Sequence, residues 1–456
     1  MLRVRSMALT VVLALFFLCG FRGTSVYGQD SLAGTPSPFG LSAGFGVEAF
    51  DEQTFQKLSV VPELAVGRFG IGLDLFVRFS LEGGALTIRR EDWIPSEITV
   101  QELAGLYLPK FRYIRYGFEG EPLYVYLGSV DGSTMGNGYL VGGYRNTLFL
   151  PERRILGLTF ELDGSLFDYP LIGFESTVGD LSALDVVAGR LYLRPLVYTG
   201  SPVFETMQVG ATFAADFDPY RYADSTVRQA AEIAGVSSPT EARMWAVGGD
   251  LRLPLLRSSA LSLSVLGDIA TLKGLALGGM TGVEGRLFGV LLYGARLRIA
   301  GDGFVPAYFD HTYDISRASR YALVASDLSI DGFLGWLGTL GISLFGDALQ
   351  LALTLDGPFR RVDGNDDNPF NYPHLHGSLV VAEGLIPGFF FDASYDKRLI
   401  REFADLTSPE GALTRIKLNF RTGPALVSFF YQVRFEEDRW KRSQTTSGLE
   451  TYIRLF

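Results

Sequence analysis

The chain has 456 residues, 47% of them hydrophobic and 20% charged, with 40 Lys and Arg against 50 Asp and Glu. That acidic balance argues against a nucleic-acid partner, because a phosphate backbone demands a basic surface. A single cysteine, Cys19, rules out a disulfide framework. Beyond the N-terminus no apolar run reaches the ~18 residues that a membrane-spanning helix needs.

Arg3 and Arg5 precede an apolar run from Met7 to Leu18, and Val26-Tyr27-Gly28 offers small and turn-forming residues for cleavage. Residues 1–28 therefore read as a signal peptide and 29–456 as the mature chain. Lipidation of Cys19 is disfavoured because Leu18 stands where a small residue is required. Removing Arg3, Arg5 and Arg22 leaves 37 basic against 50 acidic residues.

From there on one pattern recurs. In 41–49, Leu41, Ala43, Phe45, Val47 and Ala49 alternate with small or polar residues. In 70–82, Ile71, Leu73, Leu75, Val77, Phe79 and Leu81 alternate with Gly72, Asp74, Arg78 and Ser80. Period two marks a strand with one apolar and one polar face. Further strands are expected near 58–68, 111–117, 123–130, 156–163, 188–197, 207–218, 245–253, 261–270 and 291–299. The rest fall near 321–328, 338–345, 349–356, 375–382, 389–396, 415–421, 425–436 and 447–456. The expectation is one all-β meander, a transmembrane antiparallel barrel of about 18 strands, within roughly 14–22. The absence of long helical periods between strands excludes a βαβ architecture.

Several stretches interrupt the meander. The block 120–146 carries Gly128, Gly132, Gly136, Gly138, Gly142 and Gly143. Glycine allows sharp bends and close backbone approach, so this block either coils at a barrel corner or folds inward as a constriction lined by Asp131, Asn137 and Arg145. Its spacing misses the nucleotide-binding G-x-G-x-x-G. Long loops are expected at 82–109, 218–243, 301–320, 357–373, 397–412 and 437–447, with a short helix near 224–235. Short turns on one rim and long loops on the other fit a barrel. "DGNDDN" at 363–368 is oxygen-rich but fails the EF-hand pattern, since Asn368 replaces the Gly. It reads as a solvated loop tip.

His374 and His376 share a strand face, and two imidazoles can begin a metal site. No further ligand is visible locally, so they read as polar lumen residues; no metal and no cofactor is expected. The polar faces mix both signs of charge. Asp74, Arg78, Glu161, Arg190, Arg194, Asp216, Arg296 and Arg298 are the expected pore-lining residues. The arginine pairs either face the acids across the lumen as a transverse field or form ordinary salt bridges. No G-x-S-x-G or H-E-x-x-H signature is present, and no enzyme activity is expected.

The signal peptide, the amphipathic strands and the last strand "SGLETYIRLF", ending on Phe456, carry a resemblance. Over 29–456 the chain resembles outer-membrane β-barrel proteins of double-membraned bacteria. The last strand departs from the usual form: Tyr452 shares the phase of Phe456, but Ile453 and Leu455 lie on the other face. The resemblance implies an outer-membrane location, contact with the lipid bilayer, and insertion by the barrel-insertion machinery through that strand. It implies passage of small solutes through a passive pore, and assembly of several copies stays open. A plugged barrel carrying a hydrophobic substrate, and a surface adhesin or structural protein, are the alternatives.

Overall fold

The computed structural model describes residues 38–456 except 51, 202, 224–226, 230–240, 274–275, 326–329, 361–368 and 436–442. The signal peptide, Cys19, "DGNDDN" and most of the expected helix near 224–235 lie outside the described residues.

The first ten barrel strands are β1 (Phe39–Phe50), β2 (Gln53–Val66), β3 (Phe69–Leu73, continued by Leu75–Glu82), β4 (Phe111–Tyr116), β5 (Leu123–Gly128), β6 (Gly157–Asp163), β7 (Ile172–Val178), β8 (Val186–Leu193), β9 (Gln208–Asp216) and β10 (Met244–Arg257). They are followed by β11 (Leu261–Leu272), β12 (Ala276–Leu287), β13 (Leu291–Ala300), β14 (Phe333–Leu344), β15 (Leu349–Pro358), β16 (His374–Ile386), β17 (Phe389–Lys397), β18 (Ala412–Thr422), β19 (Ala425–Phe435) and β20 (Ser443–Arg454). Each pairs antiparallel with the next, and β1 pairs with β20 from Ser42↔Arg454 to Ala49↔Ser447, which closes the ring. Among the described residues the sheet has 22 hydrogen-bonded segments. Two of these are the halves of β3, and Ala85–Ile88 is a hairpin extension at its tip. The ring therefore holds twenty strands, an even number as a closed antiparallel barrel requires.

The difference from about 18 has identifiable causes. β7 and β12 were not expected. Gly278, Gly279, Gly282 and Gly285 remove the side chains that would show the alternation in β12. Conversely, residues 321–325 of the strand expected over 321–328 are the end of a helix, α2 (Tyr313–Ala325), and 326–328 lie outside the described residues. Tyr313, Asp314, Arg317, Arg320 and Tyr321 are its buried residues, and their spacing is one helical face. A second α-helix, α1 (Val100–Tyr107), lies in the long β3–β4 connection, its start capped by Thr99 Oγ1 accepting from Glu102 N at 3.1 Å.

Sidedness follows the period-two phase. Leu58, Ile269 and Leu340 are 53%, 65% and 63% exposed, whereas Asp74 and Asp216 are 2% and 0% exposed. The apolar face is outside and the charged face inside, inverting a soluble sandwich. The last strand obeys the same phase: Ile453 and Leu455 are exposed, while Tyr452 turns in and donates to Glu450 Oε2 at 2.8 Å. Phe456 still accepts from Leu41 N through its carbonyl at 3.1 Å, and its ring stacks on Phe39, centroids 5.8 Å apart. Among the described residues no helix is long and apolar enough to cross a membrane, so the strands must do so.

Most connections at one rim are short, and several at the other are long. The β2–β3, β10–β11, β12–β13, β14–β15, β16–β17 and β18–β19 links are short, and those after β3, β5, β9, β13, β15 and β17 are long. Two of the long ones, 129–156 and 301–325, lie inside the ring. Their Leu140, Tyr144, Phe304, Tyr308, Phe309, Tyr313 and Tyr321 form the main buried apolar cluster, packed on the small wall residues Ala214, Ala246, Ala270 and Ala300. The wall is small where the filling is large. At Gly278 an added Cβ would sit 2.4 Å from the Phe304 ring and 2.5 Å from Tyr139 Oη.

Candidate functional site: a half-filled lumen

Buried ion pairs anchor the filling. Arg317 donates to Asp216 through Nε at 3.0 Å and Nη2 at 2.8 Å, and to Asp185 Oδ2 at 2.8 Å. Tyr313 donates to Asp216 at 2.7 Å and Tyr144 to Asp314 at 3.2 Å. Arg320 grips both oxygens of Asp310 at 2.8 Å, and Arg398 reaches the same carboxylate at 2.7 Å. Three carboxylates share the Arg317 guanidinium in an apolar setting. Burial above all, then the like charge of Asp185, pushes Asp314 up to about 7, against the pull of Arg317.

The remaining lumen is a cavity of about 1750 Å³. Glu48, Lys57, Asp74 and Arg78 line it from β1–β3, Arg415, Lys417 and Glu450 from β18 and β20, and Asp131, Arg145, Arg153 and Arg154 from the inward segment. The charges contributed by β1–β3 are paired. Lys57 bridges Glu48 at 3.0 Å and Glu450 at 2.6 Å. Arg154 reaches Asp74 at 2.9 Å. Arg78 contacts Asp92 at 3.3 Å and Glu48 at 3.5 Å, and donates to Glu152 O at 3.1 Å.

Of the expected pore-lining residues, Asp74 and Arg78 line this cavity and the others do not. Arg190 is clamped by Asp250 at 2.7 Å and Glu175 at 2.5 Å, Arg194 by Asp163 at 2.5 Å. Arg296 pairs with Glu284 at 2.6 Å and Arg298 with Asp356 at 2.8 Å. Their partners lie on nearby strands, so these arginines form salt bridges along the wall rather than a field across it. Asp216 holds Arg317. Glu161 is half-buried on β6, opposite Glu175 of β7 in the ladder.

The three residues of the glycine block separate. Asp131 and Arg145 pair at 3.3 Å and both line the cavity. Asn137 is turned to the far wall, donating to Leu251 O and Asp268 Oδ2 at 3.1 Å each, and accepts from Arg296 at 2.9 Å. Gly132, Gly136, Gly138 and Gly143 adopt positive φ, so the folding back of this block depends on them. Sequence reasoning missed Arg317 and Arg320. The signal was present: an i, i+3 arginine pair flanked by tyrosines at 313 and 321, too polar for a strand facing lipid.

A closed antiparallel barrel with an apolar outer face and a charged interior is a transmembrane β-barrel of the outer-membrane class; closure satisfies every backbone group that lipid cannot. No protein-family model matches the chain, nor does any curated protein sequence. Among solved structures it is similar to the FrpB iron transporter from Neisseria meningitidis (TM-score 0.39, 9% identity, 94% of this chain and 83% of that chain). It is similar also to the outer membrane protein OprD from Pseudomonas aeruginosa (TM-score 0.32, 10% identity, 91% and 92%). It spans 92% of itself but 60% of CdiB from Acinetobacter baumannii (TM-score 0.28, 8% identity).

Proposed function

We propose that the protein conducts small polar solutes passively, through the part of the lumen that the inward segments leave open. One observation carries this reading. The cavity lining extends from Ala65, Arg115, Glu383 and Arg421, beside the short turns, to Arg90, Pro95, Asp218 and Arg228 on the long-loop side. A lining that runs from rim to rim is what passage requires. The Asp131–Arg145 pair, facing Arg415 of β18, acts as the constriction, and its charges set a weak preference among ions. A charged lining disfavours a hydrophobic substrate. Passage involves no covalent chemistry.

Single-channel recording of the purified protein in planar bilayers tests this. Small, regular conductance steps are expected. Replacing Arg145 and Arg415 together by Ser should enlarge the steps and raise cation preference. A silent protein that is folded and inserted would overturn the pore and leave the adhesin or structural alternative.

A further inference from the structure

The chain has three histidines, and all three meet at one carboxylate. Asp396 Oδ2, on β17, is contacted by His311 Nε2, by His374 Nε2 at 2.9 Å and by His376 Nδ1 at 3.3 Å. A carboxylate oxygen has two lone pairs, so three ring nitrogens converging on it exceed what hydrogen bonding can use. The His311 and His376 rings lie 4.0 Å apart between centroids. One ligand atom from each of His311, His376 and Asp396 lies within 4.8 Å of the others.

We propose that His311, His376 and Asp396 bind a divalent transition-metal ion of the zinc class. A tetrahedral ion with metal–ligand distances near ~2.0–2.2 Å holds its donors roughly 3.4 Å apart, so small side-chain movements toward a common centre complete the site. Two imidazoles and a carboxylate suit zinc and its neighbours; calcium and magnesium demand oxygen ligands. His374 is the positioning residue. Its Nδ1 faces Asp356 Oδ1 at 3.1 Å while its Nε2 holds Asp396, an arrangement that orients a ligating carboxylate. The cations around the cluster are paired elsewhere: Arg298 with Asp356, and Arg320 and Arg398 with Asp310. His376 lines the lumen cavity, which supplies the entry path and an open coordination position.

The ligands come from β16, β17 and the inward segment between β13 and α2. A bound ion therefore ties the filling to the wall, whether or not the lumen conducts.

The test uses the full chain without a polyhistidine tag, refolded in detergent and stripped of metal. Calorimetric titration with Zn²⁺ should give one equivalent per chain, and Co²⁺ should produce the visible absorption of a low-symmetry nitrogen–oxygen site. Zn²⁺ should protect the histidines from diethyl pyrocarbonate, read by mass spectrometry. His376→Ala removes a partly exposed ligand that lines the cavity and is expected to fold, as judged by heat-dependent gel mobility. It should weaken Zn²⁺ binding at least roughly 10-fold. His374→Gln should weaken binding less and leave the Co²⁺ spectrum's shape unchanged. Absence of Zn²⁺ uptake by the folded wild type, or equal uptake by wild type and His376→Ala, would overturn the site.

Discussion

Arg317 reaches from the helix inside the barrel to Asp216 on the β9 wall, guanidinium to carboxylate at 2.8 and 3.0 Å, with Asp216 fully shielded from solvent. Replacing Arg317 by Ala leaves Asp216 buried without a cation and Asp185 with Arg221 alone, 3.5 Å away. Breaking a buried pair from one side costs about 3–5 kcal/mol. Denaturant unfolding in detergent should show a loss of that order, and limited proteolysis should cut within 313–325 sooner. Adding Asp216→Asn and Asp185→Asn to Arg317→Met should recover much of it. A loss below ~1 kcal/mol would mean that the Arg317 pairs do not hold the helix.

The same helix carries a pH dependence. Asp314 is raised from its ordinary value to about 7, chiefly by burial. The folded state thus holds a proton that the unfolded chain has released. The contribution is fully present below the unfolded value near 3.8 and is lost as pH rises toward 7. Wild-type stability should therefore fall between pH 4 and 7 relative to Asp314→Asn, which keeps a partner for Tyr144 Oη. Melting curves of the two proteins at pH 4.5, 6 and 7.5 check this; parallel curves at all three would refute it.

Leu297 of β13 faces outward and is 38% exposed. An arginine there meets hydrocarbon, and near mid-membrane should cost about 2–4 kcal/mol of folding free energy in bilayers. Cysteine scanning offers the complementary measurement. Lys417→Cys, on the cavity lining, should react with a water-soluble thiol reagent in intact membranes much faster than Leu297→Cys. The reverse order would invert the barrel's sidedness.

Gly278 lies beneath Phe304 and Tyr139, with no room for a Cβ. Gly278→Val should push both rings off the wall and cost about 1–3 kcal/mol by overpacking. If the filling limits passage, the displaced segment should also change channel conductance. Gly267→Ala, where an added Cβ meets nothing within 4 Å, serves as the control and should change neither quantity.

Much of the architecture was legible in the chain itself. A strand's side chains alternate regardless of what they touch, so Leu73, Leu75, Phe213 and Leu297 declared one face and Asp74, Asp216 and Gln432 the other before any neighbour was known. Spread-out hydrophobicity without a helical span then left a barrel as the membrane solution. Most of the long connections were readable too, because turn residues act locally; the one over 129–156 was not among them. Where glycine erased the alternation, as in β12, the strand was lost and the count fell short.

What filled the barrel was not legible. The face of α2 that buries Tyr313, Arg317, Arg320 and Tyr321 has meaning only against Asp216, Asp185 and Asp310, and Asp216 and Asp185 lie about a hundred residues or more away in sequence. His374 and His376 showed two donors on one strand; His311 arrives from the inward segment and Asp396 from the adjacent strand. Period two specifies which side of the sheet a residue takes, and the sequence alone determined that much. Which residues meet inside depends on ring closure and on how two long connections fold back through it, because those contacts join positions that no local rule relates. Only the tertiary structure decided them.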